Sequence, residues 1–76
     1  MDTEQTMRLV SIRNMAMSGE ARRIRIRAGL SLDEVAEPCG VARTTIYRWE
    51  QRHRKPTGEA ALRYLNLLES LDALRS

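Results

Sequence analysis

Residues 30–51 read LSLDEVAEPCGVARTTIYRWEQ, and this stretch is legible almost residue by residue. Ser31 is followed three positions later by Glu34, the spacing of a capping box, in which each side chain satisfies the other residue's free backbone N–H. Leu30 and Val35 fall where two apolar side chains staple the entering chain to the first turn of a helix. Pro38 lacks an N–H and its ring meets the carbonyl of Glu34, so the helix is expected to end early. Gly40 then permits a left-handed corner. A second helix is expected over 43–51. Its Ile46 and Trp49 are three apart and face inward with Val41 ahead of them. Arg43, Thr44, Tyr47, Arg48 and Gln51 are placed on the opposite side.

Outward from this core the signals vary in strength. On the C-terminal side, Lys55–Pro56 breaks the chain, and Thr57 can cap a final helix from Gly58 to about Leu74. That helix carries two apolar stripes, Ala61, Leu65 and Leu68, and then Ala60, Tyr64, Leu67, Leu71 and Leu74. Together they cover more of the circumference than one core-facing stripe needs. On the N-terminal side, Ser18 is placed as the N-cap of GEARRIRIRA, with Gly29 as its stop. The piece RIRIR alternates like a strand, and its flanking cap and stop residues decide for helix. Residues 1–17 match neither period cleanly. Thr3 could cap a helix there, and an arm or a disordered lead reads equally well. The domain organisation expected is an N-terminal extension over 1–17 followed by one domain over 18–76.

Composition narrows the function classes. The chain has 76 residues, enough for one domain with a marginal core. One cysteine excludes an internal disulfide and fits a reducing, cytoplasmic setting. One histidine and no paired ligand spacing leave no metal site, and no cofactor is implied. No run approaches a membrane span, and Met1 is followed by acidic residues, unlike a signal segment. No nucleophile stands with a base, so no enzyme is expected. The net charge is +3, but it is uneven. Residues 41–58 hold Arg43, Arg48, Arg52, Arg54 and Lys55 against Glu50 alone, and such a patch implies a polyanionic partner.

Short helix, glycine corner, second helix and basic patch together resemble the Cro/repressor-type helix-turn-helix family, also called the XRE family. Residues 24–56 resemble its first three helices and the following loop, and residues 57–71 its fourth helix. The fold this implies is an all-α bundle of four to five helices. Arg25 and Glu50 match the family's ion pair, which ties the first helix to the recognition helix. The family's base-reading positions fall on Arg43, Thr44, Tyr47 and Arg48. Its phosphate clamp falls on Ser31 and Leu32 and on the loop with Gln51, Arg52, Arg54, Lys55 and Thr57. Two departures stand out: Ala42 where the family often has Ser or Thr, and Pro38 inside the first of the paired helices.

The chemistry expected follows from these positions. Arg43 and Arg48 can each contact guanine O6 and N7 in the major groove. Thr44 can hydrogen-bond or touch a thymine methyl, and Tyr47 can meet a phosphate or a sugar. Arg52, Arg54 and Lys55 would neutralise phosphates without reading sequence. His53 reads as a surface loop residue, and Arg22 and Arg23 as either an extension of the clamp or a solvated face. Trp49 could stack on a base, but its inward position favours core. Cys39 reads as a small buried apolar residue. Asp33 and Glu37 form an acidic edge that could touch RNA polymerase or simply face solvent. The second stripe, with Tyr64, Leu67, Leu71 and Leu74, is expected to be a homodimer seam, the alternative being core covered by residues 1–17.

Three functions compete on this reading. The first is a dimeric, sequence-specific regulator of double-stranded DNA, of phage or toxin–antitoxin type and acting as a repressor. The second is an antitoxin acting mainly as a protein-binding module, with residues 1–17 and the second stripe gripping a toxin. The third is a phage excision factor, which would need a winged β-hairpin where 57–71 reads as helix.

Overall fold

The computed structural model describes residues 2–74. Five helices follow one another: α1 (Thr3–Ser18), α2 (Glu20–Arg27), α3 (Leu32–Cys39), α4 (Arg43–Glu50) and α5 (Gly58–Leu74). No strand occurs among the described residues.

Helix α1 is opened by Asp2, whose carboxylate accepts the Gln5 N–H at 2.8 Å. Thr3, expected as a cap, is instead the first helical residue. The helix buries Leu9, Ile12 and Ala16 and leaves Met7, Val10 and Met17 exposed. At 100° per residue the two sets lie on opposite sides. An apolar residue on both sides of a helix cancels its periodicity, and this is why residues 1–17 show no clean pattern.

Gly19 makes the corner between α1 and α2 with φ +88°, a left-handed conformation that favours glycine. It opens α2 without any side-chain cap. Ser18 therefore does not hold the N-cap position expected of it; it closes α1, though its Oγ still accepts the Glu20 N–H at 3.3 Å. RIRIR is helical, with Ile24 and Arg25 buried and Ile26 half exposed. The Leu30 N–H returns to the Arg25 carbonyl at 3.1 Å and the Gly29 N–H to Ile26 at 3.0 Å, closing the helix.

Both arms of the capping box form at the start of α3. Ser31 Oγ accepts the Glu34 N–H at 3.1 Å, and Glu34 Oε1 accepts the Ser31 N–H at 2.9 Å. The Ser31 N–H, and after it the Ser31 hydroxyl, hold the Glu34 carboxyl below the ordinary carboxylate range. As expected, α3 is short, eight residues or about two turns, and it ends one residue past Pro38 at Cys39. The proline sits in the last turn, so it deletes a single backbone bond, the one to Glu34. Gly40 (φ +72°) then turns the chain, and the Val41 N–H returns to Ala36 at 3.2 Å.

The core draws on every helix: Leu9 and Ile12 from α1, Ala21 and Ile24 from α2, Val35, Ala36 and Cys39 from α3, Ile46 and Trp49 from α4, and Ala61, Tyr64, Leu65 and Leu68 from α5. No break in this core falls at residue 17, because α1 packs on α5, α2 and α4. Burial pushes the Cys39 thiol up to about 11, so it stays a thiol.

Tyr64 does not belong to an exposed seam. It is 0% exposed and its ring stacks on Trp49, centroids 5.1 Å apart. Ala60, Leu67 and Leu71 are partly covered by the same core, and only Leu74, 81% exposed, stands free of it. The second stripe thus runs from the core at Tyr64, through the core's edge at Ala60, Leu67 and Leu71, to solvent at Leu74.

The Tyr64 hydroxyl is buried with no hydrogen-bond partner among the described residues, which costs about 1–3 kcal/mol. Tyr64→Phe is therefore expected to raise the unfolding free energy in urea by about 1 kcal/mol. Tyr64→Ala should lower it by about 3–5 kcal/mol through the cavity beside Trp49. A Tyr64→Phe variant less stable than wild type would show that the hydroxyl is bonded.

Candidate nucleic-acid interface

The rotation of α4 is set from inside. Glu50, its last residue, has a side chain 1% exposed. A buried carboxylate needs a partner, and Arg25 of α2 supplies one in fork geometry, Nε to Oε2 at 2.6 Å and Nη2 to Oε1 at 2.9 Å. Arg25 Nη1 donates to the Leu30 carbonyl at 2.9 Å, so the same guanidinium also grips the α2–α3 turn. The Glu50 hydrogen bond raises the Arg25 pKa above its already high ordinary value. Arg22 adds a longer contact, Nε to Oε1 at 4.0 Å.

With Ile46, Trp49 and Glu50 inward, Thr44, Tyr47, Arg48 and Gln51 are exposed on the far side of the helix. Arg43 is also exposed, but by rotation it sits at the shoulder, two turns before Glu50. Its Nη1 lies 3.8 Å from Asp33 Oδ2 of α3, with both side chains about two-thirds exposed. This contact places the first turn of α3 beside the start of α4. There Ser31 is exposed, whereas the Leu32 side chain packs partly into the core. Leu32 thus has only its backbone N–H to offer a ligand, one of the free donors of a helix N-terminus. Ala42 caps α4 with no side-chain bond.

The loop 51–57 leaves α4 through Arg52, which adopts φ +63°, the one positive φ among the described non-glycine residues. The Arg52 N–H returns to Trp49 at 3.3 Å and the His53 N–H to Arg48 at 2.9 Å, so Arg52 stands where a glycine usually closes a helix. Its Nε donates to the Met17 carbonyl at 2.7 Å. His53 meets the edge of Tyr47, centroids 6.3 Å apart. Arg54, Lys55 and Thr57 are exposed, while Pro56 is buried.

The basic residues differ in their freedom. Arg25 is consumed by Glu50, Arg23 by Glu20, and Arg52 in part by Met17. Among the described residues, the side chains of Arg48, Arg54 and Lys55 make no hydrogen bond or ion pair within the chain. Three uncompensated cations beside the exposed face of α4 form a surface suited to a polyanion. Sequence reasoning missed one participant, Arg13 of α1, whose Nε donates to the Pro56 carbonyl at 2.8 Å. No local signal marks it, because the partners are 43 residues apart.

A family model described as helix-turn-helix matches residues 22–74. No curated protein and no solved structure matches the chain. None of the described helices is long and apolar enough to cross a membrane.

Removing one partner of a buried ion pair leaves the other uncompensated. Glu50→Gln is expected to cost about 3–5 kcal/mol of stability. The double variant Arg25→Met, Glu50→Leu should recover most of it, because an apolar pair of similar volume needs no charge partner. Urea unfolding of wild type, single and double variants decides this; a single variant within about 1 kcal/mol of wild type would mean that the pair is not buried in solution.

Proposed function

The chain belongs to the helix-turn-helix family of the Cro/repressor (XRE) type and is a DNA-binding transcription regulator, and we propose that it is a dimeric repressor reading operator sequence with α4 in the major groove. In this reading Arg43 and Arg48 read guanine, Thr44 adds one polar or methyl contact, and Tyr47 packs against the backbone. Ser31, the Leu32 N–H, Gln51, Arg54, Lys55 and Thr57 contact phosphate, with Arg52 contributing the part of its guanidinium that Met17 leaves free. The observation that carries the reading is the set of three unpaired cations, Arg48, Arg54 and Lys55, on a helix–loop unit whose inner side is sealed by Ile46, Trp49 and Glu50. Such a protein works where DNA is, in the cytoplasm. The proposed dimer seam is what remains of the second stripe, Leu74 with the edge of Leu71 and Leu67.

One observation favours a second reading. Met7, Val10 and Met17 leave an apolar stripe on the outer side of α1, which suits a protein partner such as a toxin. The excision-factor reading loses ground, because 58–74 is a single helix and not a hairpin. The acidic edge loses some of its freedom for RNA polymerase, because Asp33 leans on Arg43.

The test is a binding titration at several salt concentrations, with random duplex and with the DNA upstream of the protein's own coding sequence. Arg43→Ala is expected to erase a preference of roughly 5- to 150-fold, the worth of one bidentate base contact. Arg54→Ala should weaken both duplexes alike and lower the log–log salt slope by about 0.9. Equal, weak binding of both duplexes would remove the sequence-reading role and move the protein-partner reading to first place.

The seam has its own check. Leu74 is nearly free of the core, so Leu74→Glu should leave the fold intact and halve the solution mass by light scattering. A wild type that is already monomeric, or a variant that stays dimeric, would rule this seam out.

A further inference from the structure

The family match begins at residue 22, so α1 lies outside it. Yet α1 holds the loop 51–57 at two points and in both directions. Arg13 Nε of α1 donates to the Pro56 carbonyl at 2.8 Å, and Arg52 Nε of the loop donates to the Met17 carbonyl of α1 at 2.7 Å. Between these two anchors lie His53, Arg54 and Lys55, all exposed. Beneath them an apolar cleft is lined by Ala16 and Met17 of α1, Trp49 of α4 and Pro56. Pro56 itself is fully buried. The loop thus rests on α1 as a bridge rests on two piers.

Arg52 shows that this bracing has a cost. A residue with a Cβ at φ +63° is held in a conformation worth about 1–2 kcal/mol less than the right-handed one. Glycine would sit there without strain, as it does at the other helix-ending corners. A glycine would have no side chain to reach the Met17 carbonyl, so the Arg52 bond offsets the strain and ties the two elements together. A loop held at both ends also loses less conformational freedom when it meets a ligand, and ordering a free residue costs on the order of 1–2 kcal/mol.

We propose that α1 is a positioning element for DNA binding: through Arg13 and the Met17 carbonyl it fixes the loop so that Arg54 and Lys55 reach the phosphate backbone together. This inference rests on the reading of Arg54 and Lys55 as phosphate contacts. Arg13 touches no DNA in this scheme and acts only through the loop. Its sequence position lies outside the matched segment.

A mutant cycle on a random duplex tests it, with affinity and salt slope as readouts. Arg13→Met keeps the aliphatic stem and removes the donor. It is expected to weaken binding roughly tenfold and to lower the salt slope by about 1, the loss of one phosphate contact. In an Arg54→Ala, Lys55→Ala background the same change should have no further effect, because nothing remains to position. Arg8→Met serves as the control for the fold. It cuts the tie of α1 to Glu69 and Asn66 of α5 without touching the loop, and should leave the slope unchanged. If Arg13→Met acts equally in both backgrounds, Arg13 contacts DNA directly and the proposal is wrong. It is equally wrong if Arg8→Met lowers the slope as much, or if Arg13→Met binds like wild type while Arg54→Ala, Lys55→Ala does not. If the Arg54→Ala, Lys55→Ala variant itself binds like wild type, the phosphate reading has failed, and the proposal falls with it.

Discussion

The ion pair between Arg25 and Glu50 fixes the geometry on which the rest depends. A charge in a core is costly, and the pair is tolerated because its guanidinium is filled on three sides, by both Glu50 oxygens and by the Leu30 carbonyl. Its worth is orientational more than energetic. Once Glu50 must face α2, the helical repeat leaves little choice for the residues before it: Trp49 and Ile46 go to the core, and Tyr47, Arg48 and Thr44 go to solvent. The planar fork of arginine gives this constraint a direction that a lysine ammonium would not. Because Arg25 also holds Leu30, the same side chain sets where α3 begins, and so where Asp33 stands relative to Arg43.

Around this pair the structure separates two kinds of cation. Those that hold the protein together are spoken for: Arg25 by a buried carboxylate, Arg13 by a carbonyl, Arg8 by α5. Those left over gather on one surface. The distinction matters more than net charge, which is small. A functional surface here is the set of charges the fold does not use.

What could be read from sequence was local. The capping box declares itself in four residues, Gly40 in one, and the Ile46–Trp49 step in four, because each answers to backbone geometry within a turn or two. The all-α bundle and the outward residues of α4 follow from those signals. What escaped was settled across the chain. Helix α1 has apolar residues on opposite sides, so only its neighbours decide which side is the core. Tyr64 sits in a stripe as regular as any dimer seam, and its fate turns on Trp49 of α4, which packs on its ring and which no spacing within α5 encodes. Arg52 occupies a glycine's position because of a carbonyl 35 residues away. Ser18 was misplaced for a smaller reason: a left-handed Gly19 joins two helices directly, and the cap expected of the serine falls to the glycine.

The packing of α1 on α5 also bears on how the molecule is made. Leu9 and Ile12 share one core with Leu65 and Leu68 of α5, and Arg8 finds Glu69 across 61 residues. A ribosome adds roughly 5–20 residues per second, whereas a helix forms in about a microsecond. The nascent α1 therefore spends seconds with two apolar sides and no α5 to cover the inner one. The helix-turn-helix pair can close behind it from local contacts alone, but the core cannot until α5 has left the exit tunnel. For that interval the inner side of α1 is as uncovered as its outer side, and the closing of the core follows the synthesis of α5 in time.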